Sequence, residues 1–303
     1  MKYVICIIGP TAVGKSALSL ELADRLKAEI ISSDSRQMYR YLDIGTAKAS
    51  EEELGKTPHH FINNLDPDQA YNAADFEKEA ENRIKDLHKS SDVAIVVGGS
   101  TLYMDALWYG FDEMPEIDPE VRRRLMQEHK EQGLGKLLKE LEAVDPLSYE
   151  KIDQQNHARV IRALEVYRSS GKPISFYRKG KKAKKTPWTY IKIGLTDERK
   201  PLYKRIDKRV LEMIEAGLED EVKSLLKTYG SKAPALQSIG YSEMISYLEG
   251  EIDLAEAIRL IQRNSRRYAK RQFTWFRRYE DIQWFEAGQF EEIWKWLQIE
   301  MEN

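Results

Sequence analysis

The chain is 303 residues long, with 48 Lys and Arg against 50 Asp and Glu, five His, one Cys and a formal charge of −2. Its 42% hydrophobic content supports a sizeable core, and the length fits two domains or one large α/β unit carrying an insertion. No apolar run approaches the ~20 residues of a membrane-spanning helix, no secretory leader pattern opens the chain, and one cysteine rules out an internal disulfide or a cysteine-built zinc site. The expectation is a cytoplasmic protein with no membrane partner.

Tyr3 to Ile8 is an apolar run that stops at Gly9, and Ser16 to Lys27 then carries Ala17, Leu18, Leu22, Ala23 and Leu26 at helical spacing. The pattern predicts strand, glycine turn, amphipathic helix, with Cys6 packed in the strand. Ile30-Ile31 is a second short apolar stretch, ending in Ser32-Ser33-Asp34. Val93 to Val97 is a third, ending in Gly98-Gly99. Short apolar runs separated by helices are the pattern of strands buried on both faces of a parallel sheet. From about Pro115 the texture changes to charged, leucine-spaced helices over Pro119 to Gln132, Gly135 to Glu142 and Asn156 to Ser169. Trp188 to Leu195 returns to the sheet, and helices follow over Arg199 to Ala216, Leu218 to Tyr229, Ser242 to Leu248 and Asp253 to Tyr279. The predicted architecture is an α/β fold: a P-loop, doubly wound parallel sheet core made of residues 1–112 and 188–303, with a helical insertion domain over 113–187.

Between the first strand and the first helix lies Gly9-Pro10-Thr11-Ala12-Val13-Gly14-Lys15-Ser16, which matches G-x-x-x-x-G-K-[ST] in the context that motif requires. Glycines let successive backbone N–H groups turn toward one anion at the positive end of a helix, Lys15 adds a mobile cation, and the Ser16 hydroxyl can ligate Mg²⁺. The motif specifies a diphosphate or triphosphate, as in nucleotide- and ATP-binding proteins. An NTPase of this class also holds Mg²⁺ through an Asp at the end of a second strand. Here that strand ends in Gly98-Gly99-Ser100-Thr101 without a carboxylate, which favours a site that grips a diphosphate without activating water.

Ligands in open α/β sheets bind beyond the carboxyl ends of the strands, and Asp34 ends the strand that follows the phosphate loop. It can face whatever the phosphates carry. It can equally be a turn or N-cap residue, a magnesium ligand, or the base of a small-molecule kinase.

These strings, with Asp34-Ser35-Arg36-Gln37, Asp43-Ile-Gly-Thr-Ala-Lys48, Gly98-Gly-Ser-Thr-Leu-Tyr103, Arg162-Ala-Leu-Glu165 and Lys270-Arg-Gln-Phe-Thr-Trp-Phe-Arg277 in the same order, closely resemble the bacterial tRNA dimethylallyltransferase family from residue 1 to about 285. The resemblance implies transfer of a dimethylallyl group from its diphosphate to N6 of the adenosine beside the anticodon of tRNA. It implies that Gly9 to Ser16 hold the donor diphosphate with Mg²⁺ on Ser16. It implies that Asp34 is the general base, and that Arg205, with Thr11, assists departure of diphosphate; Arg209, one turn later, is a second candidate. It assigns tRNA contacts to Asp34, Ser35, Arg36 and Gln37, to Ser100 (where many members carry threonine) and Thr101, to Arg123, and to Arg159, Val160, Ile161 and Arg162.

Arg259 to Arg278 holds eight cations and no acid, while Ile258, Ile261, Tyr268, Ala269, Phe273 and Phe276 recur at helical spacing. One face can pack and the other face RNA, placing Lys270, Arg271 and Arg277 on a tRNA surface. The alternative is a solvated helix whose charges pair with acids elsewhere. The six cations from Arg178 to Lys185 fit either an RNA contact or a solubilising loop. Arg122, Arg123 and Arg124 form a further basic cluster. Adjacent His59 and His60 read as helix or loop packing in preference to a metal site, and Trp275 as a core residue. The expected partners are the tRNA anticodon stem-loop and dimethylallyl diphosphate, with the protein a monomer. Competing readings are a P-loop small-molecule or nucleotide kinase, an isopentenyltransferase acting on free adenine nucleotides, and an RNA-binding ATP switch. The missing carboxylate after Val97 counts against the kinase and the switch, and the basic segments against a free-nucleotide acceptor.

Overall fold

The computed structural model describes residues 1–112, 114–178, 180 and 183–302. Lys179, Lys181 and Lys182 of the 178–185 basic run lie outside the described residues. The chain divides into two compact units, residues 1–108 with 185–303, and residues 109–184.

The first unit runs β1 (Tyr3–Ile8), α1 (Lys15–Leu26), β2 (Ile30–Ser32), α2 (Glu51–Lys56), β3 (His59–His60), α3 (Ala73–Leu87), β4 (Val93–Gly98) and α4 (Thr101–Tyr109). With β5 (Thr189–Thr196) and β6 (Gln283–Glu286) from later in the chain, all six strands of its sheet are parallel, in the order β3-β2-β4-β1-β5-β6. Every residue of β1 is buried, and in β4 only Val97 is partly exposed, which is why the two segments read as unbroken apolar runs without alternation. Leaving β1 the chain turns one way, to β2; leaving β4 it turns the other way, to β5. The carboxyl ends of these adjacent strands therefore open a crevice at the switch point.

The second unit holds α5 (Pro119–Gln132), α6 (Leu134–Val144), α7 (Pro146–Lys151), α8 (His157–Ser170) and α9 (Ile174–Tyr177). Leu125, Leu137, Leu141, Val160 and Leu164 are its fully buried centre. Arg168 ties α8 to α5 and α6 through Glu128 and Glu140 at 2.5–2.9 Å.

The chain returns to the sheet with β5 (Thr189–Thr196), then α10 (Arg199–Glu215), α11 (Leu218–Tyr229), a 3₁₀ turn at Pro234–Leu236, α12 (Tyr241–Leu248), α13 (Leu254–Phe276), β6 (Gln283–Glu286) and α14 (Phe290–Glu302). Cys6 is fully buried in β1 and accepts a hydrogen bond from the Trp108 indole at 3.3 Å. His59 and His60 form a two-residue edge strand and not the expected helix or loop. Pairing with Ile30 and Ile31 extends them, and His60 Nε2 meets a Glu29 carboxylate oxygen at 2.6 Å.

Candidate active site

The phosphate loop begins where β1 ends. Gly9 has φ +148° and a side chain there would collide with the Leu195 carbonyl at 2.7 Å, so no other residue fits that close approach. Gly14 is the N-cap of α1 in the left-handed region, with φ 107°, and supplies no capping side chain. The first N–H groups of α1 are therefore left for an anion, at the positive end of the helix dipole. Lys15 Nζ donates to the carbonyls of Gly9 (3.0 Å) and Pro10 (2.8 Å). Burial pushes the Lys15 ammonium down to about 8; the Asp34 carboxylate opposes that shift and Arg209 adds to it.

Asp34 is held in a turn. Its Oδ1 accepts the backbone N–H of Arg36 at 2.8 Å and of Gln37 at 3.4 Å, an Asx turn that fixes the carboxylate at the end of β2. Oδ2 takes part in no hydrogen bond among the described residues. Ser35 is held by donating its N–H to Ser100 Oγ at 3.0 Å. Ser100 is 6% exposed, and Thr101, at the start of α4, is half-buried. Arg36 donates to the Pro234 carbonyl at 3.1 Å.

Opposite Asp34 runs the loop 43–48. Glu221 on α11 holds it, accepting the N–H groups of Asp43 (2.9 Å), Ile44 (2.8 Å) and Gly45 (3.1 Å) and the Tyr241 hydroxyl (2.6 Å). A carboxylate with several N–H donors is a strong anchor. Gln37 donates to the carbonyls of Thr46 and Ala47 at 3.3 and 3.2 Å, which ties the 34–37 turn to the loop. Lys48, its side chain only 3% exposed, reaches Asp43 and Asn63, both at 2.6 Å.

Two cavities adjoin here. One, of about 370 Å³, is polar and contains the phosphate loop through Lys15 and Ser16, together with Gln37, Lys48 and Gly98. The other, of about 350 Å³, is walled by Ile206, Val210, Met213, Ile261, Tyr241 and Tyr268, with Arg36 and Arg271 also lining it. Thr11, Ala12, Asp34, Thr46, Ala47 and Arg209 line both.

Arg205 lines neither. It is exposed, its Nε donates to the Ala12 carbonyl at 2.9 Å, and its guanidinium pairs with Asp197. Arg209, a turn further along α10, reaches both cavities. The cause is helical phase: α10 buries Leu202, Ile206 and Val210, and Arg209 lies beside that inward face.

Lys270 and Arg271 on α13 and Arg277 at its C-cap are exposed, Arg271 beside the Tyr268 ring and Arg277 over Phe273. Arg259 and Arg266 do pair with acids, Glu256 and Asp207. Trp275 is half-buried, donating to Asp105 at 3.0 Å. Gln272 is 2% exposed and joins Thr11 to Gly99.

Within the helical unit, Arg123 and Arg159 are exposed. Arg162 lies 3.4 Å from Glu165, which is buried to 1% exposure, and Arg122 lies 3.5 Å from the same carboxylate. Val160 and Ile161 are 0% and 6% exposed and pack in the core of that unit. Glu221 and Gln272 were missed from the sequence. Gln272 carried a signal, being a polar residue at a position where the spacing of Ala269 and Phe276 demands a core residue.

A profile of the IPP transferase family matches residues 37–279. The chain is 43% identical over 302 residues to the tRNA dimethylallyltransferase of Cytophaga hutchinsonii, covering 100% of this chain and 98% of that one. It is 47% identical over 287 residues to the enzyme of the same name from Carboxydothermus hydrogenoformans, covering 94% and 92%. Among solved structures, it resembles the full-length tRNA isopentenylpyrophosphate transferase of Bacillus halodurans (TM-score 0.74, 38% identity, 100% of this chain and 97% of that one). It also resembles a eukaryotic dimethylallyltransferase acting on tRNA (TM-score 0.79, 30% identity, 96% and 75%). The phosphate loop, the carboxylate facing it and this similarity over the whole chain agree: the chain belongs to the tRNA dimethylallyltransferase family.

Proposed function

We propose that this enzyme transfers the dimethylallyl group of dimethylallyl diphosphate to the exocyclic N6 of the adenosine 3′-adjacent to the anticodon of tRNA, releasing diphosphate. The observation that carries this is the pair of adjoining cavities that share Thr11, Asp34 and Arg209. A donor anchored by its diphosphate in the polar cavity presents its allylic carbon at the shared wall, and an adenine entering the other cavity meets it there. An adenine stacked in an RNA loop is drawn out of its stack to reach such a site.

In the reaction the bond from the allylic carbon to the diphosphate oxygen breaks, the N6–carbon bond forms, and N6 gives up a proton. Negative charge grows on the leaving diphosphate. The α1 N–H groups, the Lys15 ammonium and Arg209 are placed to stabilise that growth, which is what lowers the barrier. Asp34 orients N6 and takes its proton as the new bond forms. A carboxylate, with a reference pKa near ~3.9, is too weak a base to remove the proton beforehand.

The Ser16 hydroxyl lies at the start of α1 in the cavity that holds Lys15. One hard oxygen ligand completed by substrate phosphate oxygens suits Mg²⁺, which is commonly held this way without an all-protein cage. When bound, Mg²⁺ supplies charge neutralisation on the diphosphate.

The anticodon stem-loop would be held by Lys270 and Arg271 on α13 with Arg277 at its C-cap, by Ser35, Arg36 and Gln37 at the cavity mouths, and by Arg123, Arg159 and Arg162 of the helical unit. One chain lines both cavities, so a monomer suffices, working where tRNA is found, in the cytoplasm. The test is nucleoside analysis of unmodified tRNA after incubation with dimethylallyl diphosphate and Mg²⁺. N6-dimethylallyladenosine is the expected product, with ATP unable to replace the donor; prenylation of AMP in preference to tRNA would overturn the tRNA assignment.

A further inference from the structure

We propose that Gln272 is a positioning residue for prenyl transfer: from within the basic helix α13, its side-chain amide fixes Thr11 at the wall between the two cavities. Gln272 Oε1 accepts the Thr11 N–H at 2.9 Å, and Nε2 donates to the Gly99 carbonyl at 2.9 Å. Gln272 is 2% exposed; its bond to Gly99 is fully buried, where a hydrogen bond is strongest, and its bond to Thr11 borders the cavities. The partners fix the orientation of the amide, since a flipped group would set N–H against N–H and carbonyl against carbonyl. Only an amide of this length supplies one acceptor and one donor here; a carboxylate lacks the donor and an alkyl chain lacks both. A side chain on Gly99 would lie 2.0 Å from Nε2, so the glycine permits the approach.

The consequence for the loop is specific. Thr11 spends its N–H on Gln272, so diphosphate is met by N–H groups further along, and Thr11 serves the wall of both cavities through its side chain. Ala12, next in the chain, is in the left-handed region at φ 63° and has its carbonyl held by Arg205. Gln272 on one side and Arg205 on the other therefore clamp the Thr11–Ala12 segment. Lys270 and Arg271, two and one residues before Gln272, are exposed cations, so the helix offered to RNA is also the one that sets the donor loop.

The proposal rests on the reading of Thr11 as part of the reactive wall, and a double-mutant cycle separates the two. Single-turnover prenyl transfer is measured for Thr11→Ala, Gln272→Leu and the double variant, alongside tRNA affinity and thermal unfolding. Misplacing a reacting group by about 1 Å costs on the order of 100-fold, so Gln272→Leu is expected to slow transfer by roughly 10- to 100-fold with tRNA affinity within about threefold of wild type. The double variant is expected to be no slower than Thr11→Ala, because residues acting as one unit do not add. Gln272→Glu keeps size and the acceptor but loses the donor, and is expected to slow transfer as well, which serves if the leucine variant fails to fold. Wild-type turnover in folded Gln272→Leu or Gln272→Glu, or losses that multiply in the double variant, would overturn the proposal. Wild-type turnover in Thr11→Ala would overturn the reading of Thr11 itself, and the proposal with it.

Discussion

Arg209 lies one helical turn beyond Arg205 on α10, and it lines both cavities while Arg205, paired with Asp197 and the Ala12 carbonyl, lines neither. Burial lowers the pKa of Arg209, so its charge is held at a cost that an incoming diphosphate would repay. Arg209→Ala is expected to lower kcat by about 100-fold or more, the scale for removing one group that stabilises transition-state charge. Arg205→Ala should cost less, acting only through the loop it supports. Steady-state kinetics of the two variants decide this, and equal losses would contradict the ranking.

The position of Lys15 gives a pH dependence with a defined sign. Its folded value of about 8 means that the free enzyme loses this ammonium as pH rises through 8, and that binding a diphosphate above that pH must restore the proton. Donor affinity, measured by calorimetry between about pH 6.5 and 9.5, is expected to be flat below 8 and to weaken above it, approaching tenfold per pH unit. Asp34 raises the Lys15 value, so Asp34→Asn should move the break to lower pH. A break that stays in place would remove the coupling between the two.

Exposed cations on α13 predict a steep salt dependence of tRNA binding. Each phosphate contact contributes about 0.7 to 0.9 to the slope of log affinity against log salt. Lys270→Ala is expected to weaken binding and reduce that slope by about one such contact. An unchanged slope would take Lys270 off the RNA surface.

Much of the sheet was legible because β1 and β4 are buried on both faces and so appear as uninterrupted apolar strings ending in glycine. β3 and β6 were not, because a two-residue edge strand and a strand with exposed ends have too little buried surface to pattern their sequence. Gly9 to Ser16 could be read locally, since a phosphate loop is one contiguous segment. The choice between Arg205 and Arg209 could not, because it depends on the phase with which α10 packs. Nor could Glu221, whose partners at 43–45 lie more than 170 residues away in sequence. Val160 and Ile161 show the same limit: their spacing puts them on a helix, but only the fold shows that they face the core of the helical unit.

The claim that donor and acceptor meet at the wall shared by the two cavities is tested most directly on Asp34. Single-turnover prenyl transfer by Asp34→Ala, with the affinities for dimethylallyl diphosphate and tRNA measured on the same protein, is expected to be slower than wild type by about 100-fold or more, the upper range for a positioned base that also orients its nucleophile. Both affinities should stay within about threefold of wild type. Transfer at the wild-type rate would contradict the account.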